Sequence, residues 1–254
     1  MTSAQRLADR TALVTGGGQG IGRGIALALA AEGARVAIAG RTAGTLEGVV
    51  REIEERGARG LAVVGDVGRP EDVERMVQET AEAFGGLDIL VNNAQSLVQR
   101  PLADTTVEDV ELAYRSGPLG TFHAMRAALP HLKRRGGSIV NLASSAALVG
   151  QEGFASYAMA KEAIRGLTRV AAREWGPYDI RVNVICPVSL SPGAAAYFEA
   201  HPEAHAKVLS EIPLGRLGDA ETDIGRAVVS LADDGMRYLT GATLVLEGGR
   251  TIVG

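Results

Sequence analysis

Short apolar runs recur along the chain, each followed by a longer stretch in which apolar residues return every three or four positions. The runs are Ala12–Thr15, Val36–Ala39, Leu61–Val64, Ile89–Asn92, Ser138–Leu142, Arg181–Ile185 and Thr243–Leu246. They are rich in Val, Ile, Leu and Ala with little polar alternation, which predicts strands buried on both faces of a parallel sheet. The longer stretches predict helices at about Ile21–Glu32, Thr45–Arg56, Pro70–Phe84, Val107–Arg135, Tyr157–Trp175 and Thr222–Ala232. Strand and helix in alternation predict one doubly wound α/β domain over residues 1–254, with helices on both faces of the sheet. One segment breaks the rhythm. Pro187–Arg216 contains four prolines, two histidines and the run GAAAYF, and a long insertion inside a compact domain is usually functional. It is expected to form a helical lid at about 187–216.

Composition narrows the picture by exclusion. The 254 residues are 46% hydrophobic and 22% charged, and 30 acidic residues against 26 basic ones leave a net charge of −4. No basic run is present, so neither nucleic acid nor an anionic membrane surface is an expected partner. The opening MTSAQRLADR carries no apolar segment of signal-peptide type. The best membrane candidate, Ile25–Ala39, is interrupted by Glu32 and Arg35 and falls short of the roughly 18 apolar residues a span needs. A single cysteine, Cys186, rules out an intrachain disulfide and fits a reducing compartment. A cytoplasmic location is the expectation.

Candidate chemistry begins at LVTGGGQGIGRG, after the first strand and at the start of the first helix. Glycines at 16, 20 and 22 allow a sharp turn and close approach of the backbone to a pyrophosphate, which the free N–H groups of a helix N-terminus attract. A P-loop is excluded because Arg23-Gly24 stands where Lys and Ser/Thr are required. The second strand ends at Gly40-Arg41 with no carboxylate to bind a ribose 2′-hydroxyl. A guanidinium there suits a 2′-phosphate, so NADP(H) is expected over NAD(H). Further along, YAMAK places Tyr157 and Lys161 four residues apart, on one face of a helix. A nearby ammonium stabilises phenolate, so Lys161 is expected to lower the Tyr157 pKa. Ser144 and Ser145 stand at the end of the fifth strand, where open α/β sheets place their ligands.

TGGGQGIG at 15–22, Asp66, NNA at 92–94, Ser144, YAMAK and IRVNVICP at 180–187, in that order, resemble the classical short-chain dehydrogenases/reductases. The resemblance covers essentially the whole chain, through GATLVLEGG at 241–249. It implies a seven-stranded Rossmann-type sheet, a nicotinamide cofactor, a small carbonyl or alcohol substrate and a homotetramer. It selects Ser144 over Ser145, thirteen residues before Tyr157. Tyr157 becomes the general acid, Lys161 its partner and a ligand of the nicotinamide ribose, and Ser144 a donor to the substrate oxygen. The cofactor-binding set it implies is Gly16, Gly18, Gln19, Gly20, Ile21, Gly22, Arg41, Asp66, Val67, Asn93, Ala94, Tyr157, Lys161, Pro187, Val188 and Leu190. Asp66 and Val67 would contact adenine, while Asn93 and Ala94 would border the ribose. Enoyl reductases of the superfamily carry Lys seven residues after the tyrosine, where this chain has Ile164.

Four positions depart from the family pattern. Gly117 replaces the usual Asn of the fourth helix, and Pro118 after it is expected to break that helix. Gln95 replaces the last Gly of NNAG, Val188 the Gly after Pro187, and Pro192 a Thr, for which Ser191 could supply a hydroxyl. Gln95, Gln151, Glu152, Phe154, Tyr197 and Phe198 are candidate pocket walls from position. The intact Ser144, Tyr157 and Lys161 point to an oxidoreductase. The alternative is an NADP-binding regulatory or sensor protein with weakened catalysis. HPEAH at 201–205 fits neither zinc-hydrolase helix motif, so no metal is expected, and Cys186 reads as a packed residue. If Arg41 recognises a 2′-phosphate, Arg41→Asp will weaken NADPH binding more than NADH binding in a fluorescence titration. An equal effect on both would refute that role.

Overall fold

The structure is a computed structural model that describes residues 5–190 and 192–252, without the side chains of residues 192–194 and 197. Seven strands form one parallel sheet: β1 (Thr11–Thr15), β2 (Arg35–Gly40), β3 (Gly60–Val64), β4 (Ile89–Asn92), β5 (Gly137–Leu142), β6 (Ile180–Pro187) and β7 (Thr243–Leu246). Their order is β3-β2-β1-β4-β5-β6-β7. The order reverses between β1 and β4, and the crevice beyond the C-terminal strand ends at such a point is where these sheets take ligands. Successive residues of a strand face opposite ways. Val14 accordingly packs with Ile25, Leu29, Ile38 and Val228 on one side of the sheet, and Leu13 with Val77, Leu90, Met125 and Ile139 on the other. Both faces are therefore covered, as the unbroken apolar runs required.

The helices are α1 (Gly20–Ala31), α2 (Ala43–Glu55), α3 (Pro70–Phe84), α4 (Val107–Tyr114), α5 (Gly120–Leu132), α6 (Ser145–Leu148), α7 (Ala155–Trp175), α8 (Pro192–Ala200), α9 (Pro202–Ser210) and α10 (Arg226–Ala232). α3 has the bounds its sequence predicts. Pro70 opens it, Glu71 and Asp72 oppose the dipole in its first turn, and Gly85 ends it at φ +84°. The expected single helix over 107–135 is α4 and α5 joined by a π turn, Arg115–Leu119. The helix is widened at Pro118 and not broken. A π turn shifts the hydrogen-bond register, so the missing proline N–H interrupts the ladder locally while the helix continues. A second π turn, Ala220–Gly225, precedes α10 where the sequence predicts regular helix.

A polar ladder crosses the core just below the strand ends. Asn92 donates to Asn141 Oδ1 at 2.8 Å, Asn141 donates to Thr168 Oγ1 at 2.8 Å, and Thr168 donates to the Ile164 carbonyl at 2.9 Å. These buried groups tie β4 and β5 to α7, which fixes the helix that carries Tyr157 and Lys161. Among the described residues, no helix is long and apolar enough to cross a membrane. Residues 192–210 form two short helices, consistent with the helical character expected of the segment. Ser191 and the Tyr197 side chain lie outside the described residues.

Candidate active site

The loop between β1 and α1 is built by close approach. Gly16 and Gly20 adopt φ of +67° and +54°, where side chains are strained. A Cβ on Gly22 would overlap the Gly16 carbonyl oxygen, and one on Gly16 would stand 2.6 Å from Asn93 Nδ2. Asn93 holds the turn by donating to the Thr15 carbonyl at 2.9 Å and the Gly16 carbonyl at 3.1 Å. Thr15 Oγ1 accepts from the backbone N–H groups of Asn93 and Ala94 at 3.1 and 3.2 Å. The loops after β1 and β4 are thereby locked together across the point where the strand order reverses.

A cleft of about 440 Å³ runs over this junction. Its walls include Gly16, Gly18, Gln19, Gly20, Ile21 and Gly22, then Arg41, Asp66 and Val67, then Asn93, Ala94 and Gln95. Arg41 is exposed at the end of β2 and has no hydrogen-bond or ionic partner among the described residues. Asp66 Oδ1 accepts from Gly68 N at 2.8 Å, which shapes the turn after β3. Thr42, Thr45, Ser96, Ser116 and Ser189 also line the cleft, and sequence reasoning did not single them out. Their signal was position alone, since each follows a strand end or belongs to a helix facing one. Ser189, not Pro187, Val188 or Leu190, is the residue after β6 in the cleft wall. The residues fit a dinucleotide: bare glycines, the free N–H groups of the α1 terminus and a long groove on both sides of the switch point.

At the end of β5, Ser144 caps α6 by accepting from Ala146 N at 3.2 Å, and its hydroxyl stands near enough to the Tyr157 phenol to favour the phenolate. Lys161 is only 3% exposed, and its ammonium donates to the Leu142 carbonyl at 2.7 Å. Its Nζ lies 5.3 Å from the centre of the Tyr157 ring. Serine, phenol and amine therefore meet at one strand end. Their ionisation differs from the expectation that Lys161 acidifies Tyr157. Burial pushes the phenol above its ordinary value, and the group that counters this is the Ser144 hydroxyl. Burial also lowers the Lys161 ammonium to about 7, so it is only partly charged at neutral pH. Its short hydrogen bond goes to Leu142 and not to the phenol. Cys186 is buried nearby, and burial raises its thiol to about 11, which makes it a packed residue without thiolate character.

The remaining candidates separate. The Phe154 ring lies 6.0 Å from that of Tyr157, edge to face, so Phe154 borders the phenol. Gln151 and Glu152 are exposed in the turn before α7. Phe198 stacks on His205 at 4.7 Å within the α8–α9 segment. The Gln95 amide turns into the cleft wall beside Gly117, with its Nε2 donating to the Ala113 carbonyl at 2.9 Å. Among the described residues, no group of three or more His, Cys, Asp or Glu could hold a metal ion.

A family profile described as "Enoyl-(Acyl carrier protein) reductase" matches residues 16–251. A 12alpha-hydroxysteroid dehydrogenase of Clostridium sp. is 43% identical over 249 residues, covering 94% of this chain and 96% of the relative. The chain belongs to the short-chain dehydrogenase/reductase family. The 3-oxoacyl-(acyl-carrier-protein) reductase FabG of Staphylococcus aureus is 36% identical over 244 residues, covering 94% of this chain and 97% of that one. The solved short-chain type dehydrogenase/reductase of Mycobacterium marinum superposes with a TM-score of 0.87 at 31% identity, covering 98% of both chains. As a member of the family, the protein is an NAD(P)-dependent oxidoreductase of carbonyl and alcohol groups. Gly22→Ala tests the phosphate loop, because its Cβ would overlap the Gly16 carbonyl. Dinucleotide binding followed by calorimetry is expected to be lost and the melting temperature to fall, since overpacking costs about 1–3 kcal/mol. Unchanged binding would contradict the close approach.

Proposed function

We propose that the protein is an NADP(H)-dependent ketone or aldehyde reductase, reversible as an alcohol dehydrogenase, with Tyr157 as general acid and base. The carrying observation is the meeting of Ser144, Tyr157 and Lys161 at the end of β5. Gly16, Gly18, Gln19, Gly20, Ile21 and Gly22 would hold the pyrophosphate, Asp66 and Val67 the adenine, and Asn93 and Ala94 the ribose. The bound nicotinamide supplies or accepts the hydride. The Tyr157 phenol gives its proton to the carbonyl oxygen, and the Ser144 hydroxyl donates to the same oxygen as charge develops there. Lys161 places positive charge behind the phenol as the proton leaves. A phenol held protonated by burial is in the right form for reduction at neutral pH, whereas oxidation needs the phenolate.

Preference for NADP(H) is supported by the exposed Arg41 at the cleft mouth and the absence of an acid at Gly40. Reduction of C=O and not of an enoyl double bond is supported by Ile164, which is buried where a lysine would be needed. An apolar substrate is supported by Leu97, Val149 and Leu190, exposed aliphatics in the segments after β4, β5 and β6, and by the relative named for hydroxysteroids. The segment at 187–216 would close over that substrate. Exposed Val107 on α4, Leu119 in the π turn and Phe122 on α5 support assembly as a homotetramer, and the buried free thiol suits the cytoplasm.

Two measurements test the mechanism. Tyr157→Phe is expected to lower kcat by about 10²–10⁴-fold while NADPH still binds, and near-normal turnover would remove Tyr157 from the mechanism. The pH profile is the second. Carbonyl reduction should fall as pH rises through about 7, where Lys161 loses its charge. Alcohol oxidation should climb toward alkaline pH as Tyr157 ionises. A reduction rate flat from pH 6 to 9 would exclude a role for the lysine charge.

A further inference from the structure

Gln95 and Gly117 lie on different elements, the loop after β4 and the π turn between α4 and α5, yet they share one volume. A Cβ on Gly117 would overlap Gln95 Oε1 and stand 2.8 Å from its Nε2 and 2.9 Å from its Cδ. The amide thus occupies the space in which any side chain at 117 would begin. Its Nε2 donates to the Ala113 carbonyl at 2.9 Å and to the Ser96 carbonyl at 3.2 Å. Its Oε1 is buried and has no hydrogen-bond partner among the described residues. One residue on, Ser96 N donates to Ser116 Oγ at 2.9 Å, and that hydroxyl donates to the Leu112 carbonyl at 2.8 Å. Two side-chain bridges therefore stitch the loop after β4 to the end of α4 and the π turn. Asn93 and Ala94, in the same loop, lock the phosphate loop. The π turn packs against α7, which carries Tyr157 and Lys161.

We propose that Gln95 and Gly117 act as one unit. In it, the Gln95 carboxamide is a positioning residue for the Tyr157–Lys161 helix and the nicotinamide end of the cleft. A buried amide oxygen without a donor is costly and rare, and this one is sealed against Gly117 while the rest of its residue belongs to the cleft wall, so the amide is held there for the backbone it ties. Glycine at 117 is required because any side chain there would expel the amide. The proposal rests on the oxidoreductase reading above. It also joins two departures from the family pattern, Gln95 and Gly117, into a single change.

Gln95→Gly, Gly117→Asn and the double variant test this, with Gln95→Leu as a volume-preserving substitute should Gln95→Gly fold poorly. Gly117→Asn alone is expected to lower the melting temperature and to do so much less once Gln95 is glycine, because residues in contact are not additive. Gln95→Gly alone is expected to lower kcat by about 10²-fold, the scale of an ångström of misplacement, and the double variant to recover most of it. A positioning role at the nicotinamide end is expected to weaken NADPH binding while 2′,5′-ADP binding stays normal. Additive melting shifts would overturn the unit. Coupled shifts with NADPH affinity, kcat and pH profile all unchanged would reduce Gln95 to packing and overturn its positioning role. Should the wild type turn over no carbonyl, the oxidoreductase reading fails separately, while the melting cycle and the two affinities still decide the unit.

Discussion

Lys161 is almost wholly removed from solvent, and its ammonium donates to the Leu142 carbonyl at the end of β5. That contact brings α7 to the strand end, so Tyr157, one helical turn earlier, comes near Ser144, whose hydroxyl favours the phenolate. Withdrawing an amine from water favours its neutral form, and withdrawing a phenol favours its protonated form. The same burial that assembles the group therefore moves both ionisations, bringing Lys161 to about 7 and Tyr157 upward. Beneath them, the Asn92–Asn141–Thr168 ladder holds β4, β5 and α7 in one register. Geometry and acidity at the site have one cause.

The cleft depends on contact between loops. Gly22 must lack a Cβ for the Gly16 carbonyl to sit where it does, and Asn93 closes that turn from the neighbouring loop. Gln95, two residues further, fills the gap at Gly117. Asn93 and Gln95 both look like polar residues of a binding site in the linear sequence. In space they are largely spent on holding backbone, which is how a cleft between loops keeps its shape without a bound partner's help. The widened helix at Pro118 serves the same arrangement, since the turn that bears Gly117 also faces α7.

Much of this was legible in the chain. Buried parallel strands demand continuous apolar runs, and all seven lie where those runs occur, with Ile89–Asn92 and Thr243–Leu246 matching to the residue. Pro70 and Gly85 bound α3 through local backbone preference alone. The glycine spacing at 16, 20 and 22 and the four-residue step from Tyr157 to Lys161 are likewise local, because φ and helical period belong to the segment itself.

Three features were settled only by packing between distant segments. The sequence alone could not assign Gln95 to Gly117, because the distance between two loops is set by the whole sheet. It could not tell a break from a π turn at Pro118, since neighbouring helices decide how a lost hydrogen bond is absorbed. Nor could it give the sign of the Tyr157 shift. A charged neighbour and burial push a phenol in opposite directions, and the winner depends on how much solvent the finished fold excludes.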